Sequence, residues 1–396
     1  MNIAFCYESV LPARGGCEVY ITDLARRLIA EGHEVHIYAC EIDTESLPDS
    51  VRFHPLTVAR GPRFLRPWRF GRACERAMQG VRHDVTVGFD KTWGQSVLYP
   101  QGGLHSASAD HNLRKHRSGW MRALARIAKK FDLAHWSFKA LEKKQYQGRD
   151  RPAIIVNSYM VRDHFRQYYG VPEHQIHVIR SSFNPDRFAS QDRLRRRLEW
   201  RTHWGIEPSE TVGVFIAMNY RLKGLDPLLR ALRHVPRDRP FRLLVVGHPK
   251  FGRYERMARR LGVRDRVCFA GPQRDVQNCY YAADFLVHPT FYDPGSLVLL
   301  EALTCGLPVI TTRFNGAAEL LHPPREGYVV ADPHDDEQLG WCMAQFLDPE
   351  RRAAAAQAAR RAASQWTFDH HYRQIMHVFQ RVARGSGLWP LAGGAE

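Results

Sequence analysis

Short apolar strands alternate with helices along almost the whole chain, and the pattern restarts once. Residues 2–7 (NIAFCY) form an apolar run, 8–16 a loop ending in Gly15-Gly16, and 17–31 carry Val19, Leu24, Leu28 and Ile29 at roughly helical spacing. Gly32-His33 stop that helix, and 34–39 supply the next strand. Such a chain builds βαβ units, whose parallel strands need helices on both faces of the sheet. Further strand-like runs lie at 52–56, 84–88, 97–99, 154–156 and 176–179. After an aperiodic stretch at 181–190, strands at 212–218, 241–246, 267–269, 285–287 and 309–312 alternate with helical runs. At 396 residues one core is too few. The expectation is two doubly wound α/β domains, 1–185 and 186–365, then a C-terminal helical segment at 366–396 with a break near Trp366 and a frayed end.

The second half carries the most distinctive stretch, 291–312 (FYDPGSLVLLEALTCGLPVITT). Asp293 sits in a loop, and Glu301 lies eight residues on, inside an otherwise apolar helical run. A carboxylate there is costly to bury without a partner. Gly295, Ser296 and Leu297 open that helix, where backbone N–H groups favour an anion. Upstream, Arg221 and Lys223 bracket a strand-to-helix turn. A guanidinium fork and an ammonium at that position suit a diphosphate, although most basic side chains here must be solvated. Together these features indicate a site for a sugar joined to phosphate.

Net charge is +16, which calls for an anionic partner: nucleic acid, a membrane surface or a phosphorylated substrate. No nucleic-acid reader motif is recognisable, so a nucleic-acid partner is not expected. Basic residues concentrate at 111–144, interleaved with Trp120, Leu124, Ile127 and Phe131 on one helical face. Two readings stay open there: a basic amphipathic helix on an anionic membrane, or a helix packed on the core with a solvated basic side. His105 follows a strand and a glycine turn, where ligands bind in doubly wound folds; a hydrogen-bonded loop histidine explains it equally well. The eight cysteines are scattered without a CxxC pair and read as reduced thiols of a cytosolic protein. The start, MNIAFCYESV, reads as a first strand and not as a signal peptide. No apolar run is long enough to span a bilayer.

The pattern Asp293-x7-Glu301, followed by Ala302-Leu303-Thr304-Cys305-Gly306-Leu307-Pro308-Val309, resembles the acidic-x7-Glu signature of the retaining glycosyltransferases of family 4, which have the GT-B fold. Arg221-Leu222-Lys223-Gly224, Gly15-Gly16, Ala282-Ala283-Asp284 and His288-Pro289 extend the resemblance. Within that family the chain is similar to the lipopolysaccharide core glucosyltransferase I group, through Ala4-Phe5-Cys6, Val87-Gly88-Phe89-Asp90-Lys91 and Val245-Val246-Gly247. Asp293 stands where the family pattern usually has Glu, and Leu222 where related sequences can place Arg.

The resemblance implies two Rossmann-like domains facing across a cleft and a nucleotide-sugar donor, UDP-glucose, held mainly by the second. In that picture Arg221 and Lys223 stabilise the leaving diphosphate without a metal cofactor. Gly15, Gly16, Gly295, Ser296 and Leu297 line the donor, Glu301 holds the ribose, Asp293 the sugar, and His105 touches sugar or acceptor. It further implies a glycolipid or oligosaccharide acceptor, and a cytoplasmic enzyme resting on the inner membrane through 111–144.

Overall fold

In the computed structural model, residues 1–148 and 152–385 are described. The expected frayed end beyond them lies outside the described residues. The chain divides into two compact units: Met1–Leu113 with Ser118–Phe183 and the segment from Phe368 on, and Arg114–Arg117 with Asn184–Thr367.

The first unit is built on a parallel sheet of seven strands: β1 (Asn2–Cys6), β2 (Glu34–Ala39), β3 (Arg52–Pro55), β4 (Val85–Gly88), β5 (Val97–Leu98), β6 (Ala153–Val156) and β7 (Ile176–Val178), in the order β3-β2-β1-β4-β5-β6-β7. The central strands are apolar throughout because helices cover both faces. Ile3 and Phe5 of β1 are fully buried against Ile21, Leu24 and Leu28 of the helix Gly16–Ala30. The helix Phe368–Ala383 joins the same core through Tyr372, Ile375, Met376 and Phe379. His371 fastens it: Tyr20 Oη lies 2.7 Å from its Nε2, and its Nδ1 is 2.7 Å from the Arg180 carbonyl.

The second unit repeats the plan with six parallel strands: β8 (Thr211–Ala217), β9 (Phe241–Gly247), β10 (Val267–Gly271), β11 (Phe285–His288), β12 (Val309–Thr312) and β13 (Gly327–Val330), in the order β10-β9-β8-β11-β12-β13. Every residue of β8 is buried, as expected of a central strand. The strand order reverses between β8 and β11. At such a switch point the loops leaving the two carboxyl ends part and open a crevice for ligand. The predicted fold class, α/β with two Rossmann-like halves of the GT-B type, is the one observed.

Candidate functional site

Two loops leave the switch point of the second sheet. The loop after β8 carries Arg221 and Lys223 and enters the helix Leu225–Ala231 through Gly224. Gly224 has φ +86°, and a Cβ there would sit 2.0 Å from the Pro289 carbonyl oxygen. Only glycine permits this left-handed turn and the close approach of the second loop. That loop follows β11 and is stitched to the first: Phe291 N donates to the Leu222 carbonyl at 2.9 Å.

The stitching brings Lys223 onto Asp293. Lys223 Nζ lies 2.6 Å from Asp293 Oδ2 and 3.1 Å from the Tyr292 carbonyl oxygen. Burial pushes the Asp293 carboxyl up, but the Lys223 ammonium leads a set of groups that outweigh it and hold it below the usual carboxylate range. Ser296 adds a hydrogen bond to that carboxylate. Asp293 is also pinned through its backbone, its N donating to Phe314 O and its O accepting from Gly316 N. Ser296 is buried and is the N-cap of the helix Leu297–Thr304. Gly295, Ser296 and Leu297 therefore stand at a helix start beside an ion pair, as an anion site requires.

Glu301 lies on the second turn of that helix and is half-buried. Tyr280 Oη donates to its Oε2 at 2.6 Å. Burial raises the Glu301 carboxyl, and the Tyr280 hydrogen bond opposes that rise. The sequence reading missed Tyr280; the available signal was a buried tyrosine hydroxyl in an apolar run, which demands a polar partner. It also missed a role for His288. That imidazole ends β11, is 1% exposed, and has Nδ1 3.5 Å from Ser296 Oγ. Burial, then Lys223, lowers its pKa to about 4, so it stands neutral next to the pair. Arg221 is not part of the Lys223–Asp293 contact; its Nη2 lies 3.3 Å from His116 Nδ1 within the same unit.

Gly15, Gly16 and His105 belong to the first unit. Gly15 is extended at φ 170° and Gly16 begins the helix Gly16–Ala30, at the carboxyl edge of β1. His105 is not a loop residue: it opens the helix His105–Leu113. The buried Glu142 accepts hydrogen bonds from the His105 and Ser106 N–H groups, the Ser106 hydroxyl (2.6 Å) and Tyr169 Oη (2.7 Å), and so caps this helix. A cap supplied from the far end of a basic segment carries no local sequence signal. The two readings of 111–144 divide along the segment: the helix Gly119–Lys130 buries no residue, whereas Leu113 and, on the helix Leu133–Tyr146, Leu141 and Glu142 are buried. Trp120, Leu124, Ile127 and Phe131 are exposed by 67, 56, 52 and 81%.

The comparisons with known proteins give the family and the fold. A model described as Glycosyltransferase Family 4 matches residues 14–187, and one described as Glycosyl transferases group 1 matches 196–362, so that together they take in most of the chain. The chain is a family 4 glycosyltransferase. It is similar to the lipopolysaccharide glucosyltransferase WaaG of Escherichia coli (strain K12), 27% identical over 370 residues that cover 92% of this chain and 95% of the relative. The crystal structure of WaaG, a glycosyltransferase involved in lipopolysaccharide biosynthesis, superposes with TM-score 0.78 at 25% identity, covering 95% of this chain and 98% of that one. Anabaena Alr3699/HepE in complex with UDP-glucose shares the fold with TM-score 0.67 at 19% identity, over 98% of this chain and 99% of that one. Among the described residues, this glycosyltransferase has no helix long and apolar enough to cross a membrane. Nor, among them, does it have a group of three or more His, Cys, Asp or Glu able to hold a metal.

Proposed function

We propose that this glycosyltransferase moves glucose from UDP-glucose onto a lipopolysaccharide core or similar cell-envelope glycolipid, with retention of anomeric configuration. The observation that carries the reading is the Lys223–Asp293 pair at the switch point, next to the helix start at Ser296. In the resting site Asp293 holds the ammonium in place. A donor diphosphate then offers Lys223 a second, stronger anion, and the backbone N–H groups at Gly295 and Ser296 add to it. Positive charge fixed where negative charge develops lowers the barrier to departure of the diphosphate. Lys223 does this as a protein cation, so the reading assigns no metal. Asp293, released from Lys223, faces the sugar hydroxyls, and Glu301 accepts from the ribose. Catalysis is then positioning and electrostatics, with neither carboxylate acting as acid or base.

The similarity to WaaG supports the choice of glucose and of a lipopolysaccharide acceptor. The exposed Trp120–Leu124–Ile127–Phe131 stripe, flanked by Arg122, Arg126, Lys129 and Lys130, supports docking on an anionic membrane. In this reading the enzyme works at the cytoplasmic face of the inner membrane.

The test is a thermal-shift screen against nucleoside diphosphates and nucleotide sugars, followed by NMR of the product anomer. UDP and UDP-glucose should raise the melting temperature more than other nucleotides, and the product should carry the donor's anomeric configuration. A chain stabilised by no nucleotide sugar, or an inverted product, would overturn the reading.

A further inference from the structure

The carboxyl edge of the first sheet holds a second cluster. His105 and His135 have ring centroids 5.6 Å apart, and the Phe138 ring lies 4.7 Å from that of His105. Lys91, in the loop after β4, places its Nζ 5.1 Å over the Phe138 ring. Lys129 donates to the Ala109 carbonyl, and Lys139 lies over the Trp136 ring at 5.5 Å. Burial, then His135, Lys91 and Lys129, takes His105 down to about 4. Burial, Lys129 and Lys139 lower His135. Acidic groups oppose this only in part: Asp132 acts on both rings and Asp110 on His135, while Asp90 pairs with Lys91 at 3.3 Å.

Nε2 of His105 and Nδ1 of His135 are buried and have no hydrogen-bond partner. A buried polar atom left without a partner is costly. Glu142 caps the helix His105–Leu113 and Lys129 donates to its Ala109 carbonyl, so the two imidazole nitrogens are not what holds that helix. Two orphaned imidazole nitrogens among three ammonium groups make an arrangement that is poor when empty. It becomes good once an anion enters, which can accept from both rings and offset the lysine charges. A phosphoryl group suits this best, with several acceptor oxygens and up to about two negative charges.

We propose that His105 and His135, surrounded by Lys91, Lys129 and Lys139, bind a phosphoryl group borne by the glycolipid acceptor or by a membrane phospholipid. This deepens the acceptor side of the function proposed above and rests on it. Lys129 belongs to the same helix as the exposed apolar stripe, so a membrane-docked molecule would hold the cluster near headgroup depth.

The test titrates the histidine imidazoles of the full chain by NMR, with and without inorganic phosphate, and measures UDP affinity on the same sample. Phosphate should raise the pKa of His105 and His135 by about one unit. Lys91→Gln with Lys139→Gln should weaken phosphate binding about tenfold at unchanged melting temperature. Vesicles of phosphatidylcholine with phosphatidic acid, and acceptor with and without its phosphate, then compete for the site. Displacement by the vesicles assigns the phosphoryl group to lipid, and displacement by phosphorylated acceptor alone assigns it to substrate. Imidazoles that stay put while UDP binds would overturn this inference alone. Absence of UDP binding would overturn the transferase reading itself.

Discussion

Lys223 Nζ meets Asp293 Oδ2 at 2.6 Å, joining the two loops that leave the switch point of the second sheet. The side chains are 21 and 13% exposed, so neither charge is well solvated and each depends on the other. A pair held this way is a poor stability device, since desolvation consumes most of the Coulomb gain, but removing one partner strands the other. Its position at a ligand crevice gives it a use: the ammonium is oriented before the diphosphate arrives.

Lys223→Ala should therefore lower transfer by about 2–4 kcal/mol of transition-state stabilisation. It should also leave Asp293 buried without its cation. The double variant Lys223→Ala/Asp293→Ala should be more stable than Lys223→Ala alone, because it removes the stranded carboxylate. Urea melts of the four proteins in the cycle, with UDP release as the activity readout, check both points. Additive stability losses would show that the pair is not coupled.

Gly224 sets the distance between the two loops. In Gly224→Ala the new Cβ would start 2.0 Å from the Pro289 carbonyl, on a residue with φ +86°. Strain of about 1–3 kcal/mol follows, and relief by moving the loop would pull Lys223 off Asp293. A lower melting temperature should accompany a loss of activity larger than the stability change explains. Normal transfer by this variant would mean that the turn is not what positions the lysine.

How much of this was legible beforehand depended on the range of the interaction. The strands and their alternation with helices are written locally, in apolar runs such as 212–218, and the parallel sheets follow. Asp293 and Glu301 stood out because a carboxylate in an apolar context is itself a signal. Their partners did not. Tyr280 reaches Glu301 across 21 residues, Glu142 caps His105 across 37, and Lys223 finds Asp293 across 70. Nothing in local spacing encodes such meetings. Arg221 shows the reverse: adjacency to Lys223 suggested a shared target, yet its side chain turns to His116. The amphipathic face at 120–131 was legible as a face; which medium it meets depends on what the rest of the fold leaves uncovered.

Tyr280→Phe tests the ribose assignment. Losing the 2.6 Å hydrogen bond leaves the half-buried Glu301 carboxylate without its donor and raises its pKa further. UDP affinity should fall by about 1 kcal/mol, roughly fivefold, seen by calorimetry as a KM effect with kcat little changed. The defect should grow at lower pH, where the raised carboxyl protonates first. A defect confined to kcat would remove Glu301 from donor binding.

Trp120→Ser/Leu124→Ser/Ile127→Ser should abolish co-sedimentation with anionic vesicles and leave the melting temperature within a degree or two, because these side chains are already in solvent. Neutral vesicles should bind the parent chain weakly. A large fall in stability would instead mean that the stripe is covered in solution by protein.

His371 makes the C-terminal helix acid-sensitive. Burial takes its pKa from 6.5 to about 4, and the folded form holds it neutral between Tyr20 and the Arg180 carbonyl. Because the folded pKa is depressed, the unfolded chain takes up the proton first. Stability is whole above about pH 6.5 and is lost as pH falls towards 4, by about 3 kcal/mol for a shift of this size. The helix Phe368–Ala383 should become protease-sensitive over that window. His371→Gln keeps a polar partner for Tyr20 without the titration, so its unfolding free energy should fall less steeply between pH 6.5 and 4. The parent and the variant, melted in urea across that range, should converge as the pH drops; parallel curves would show that another histidine carries the acid sensitivity.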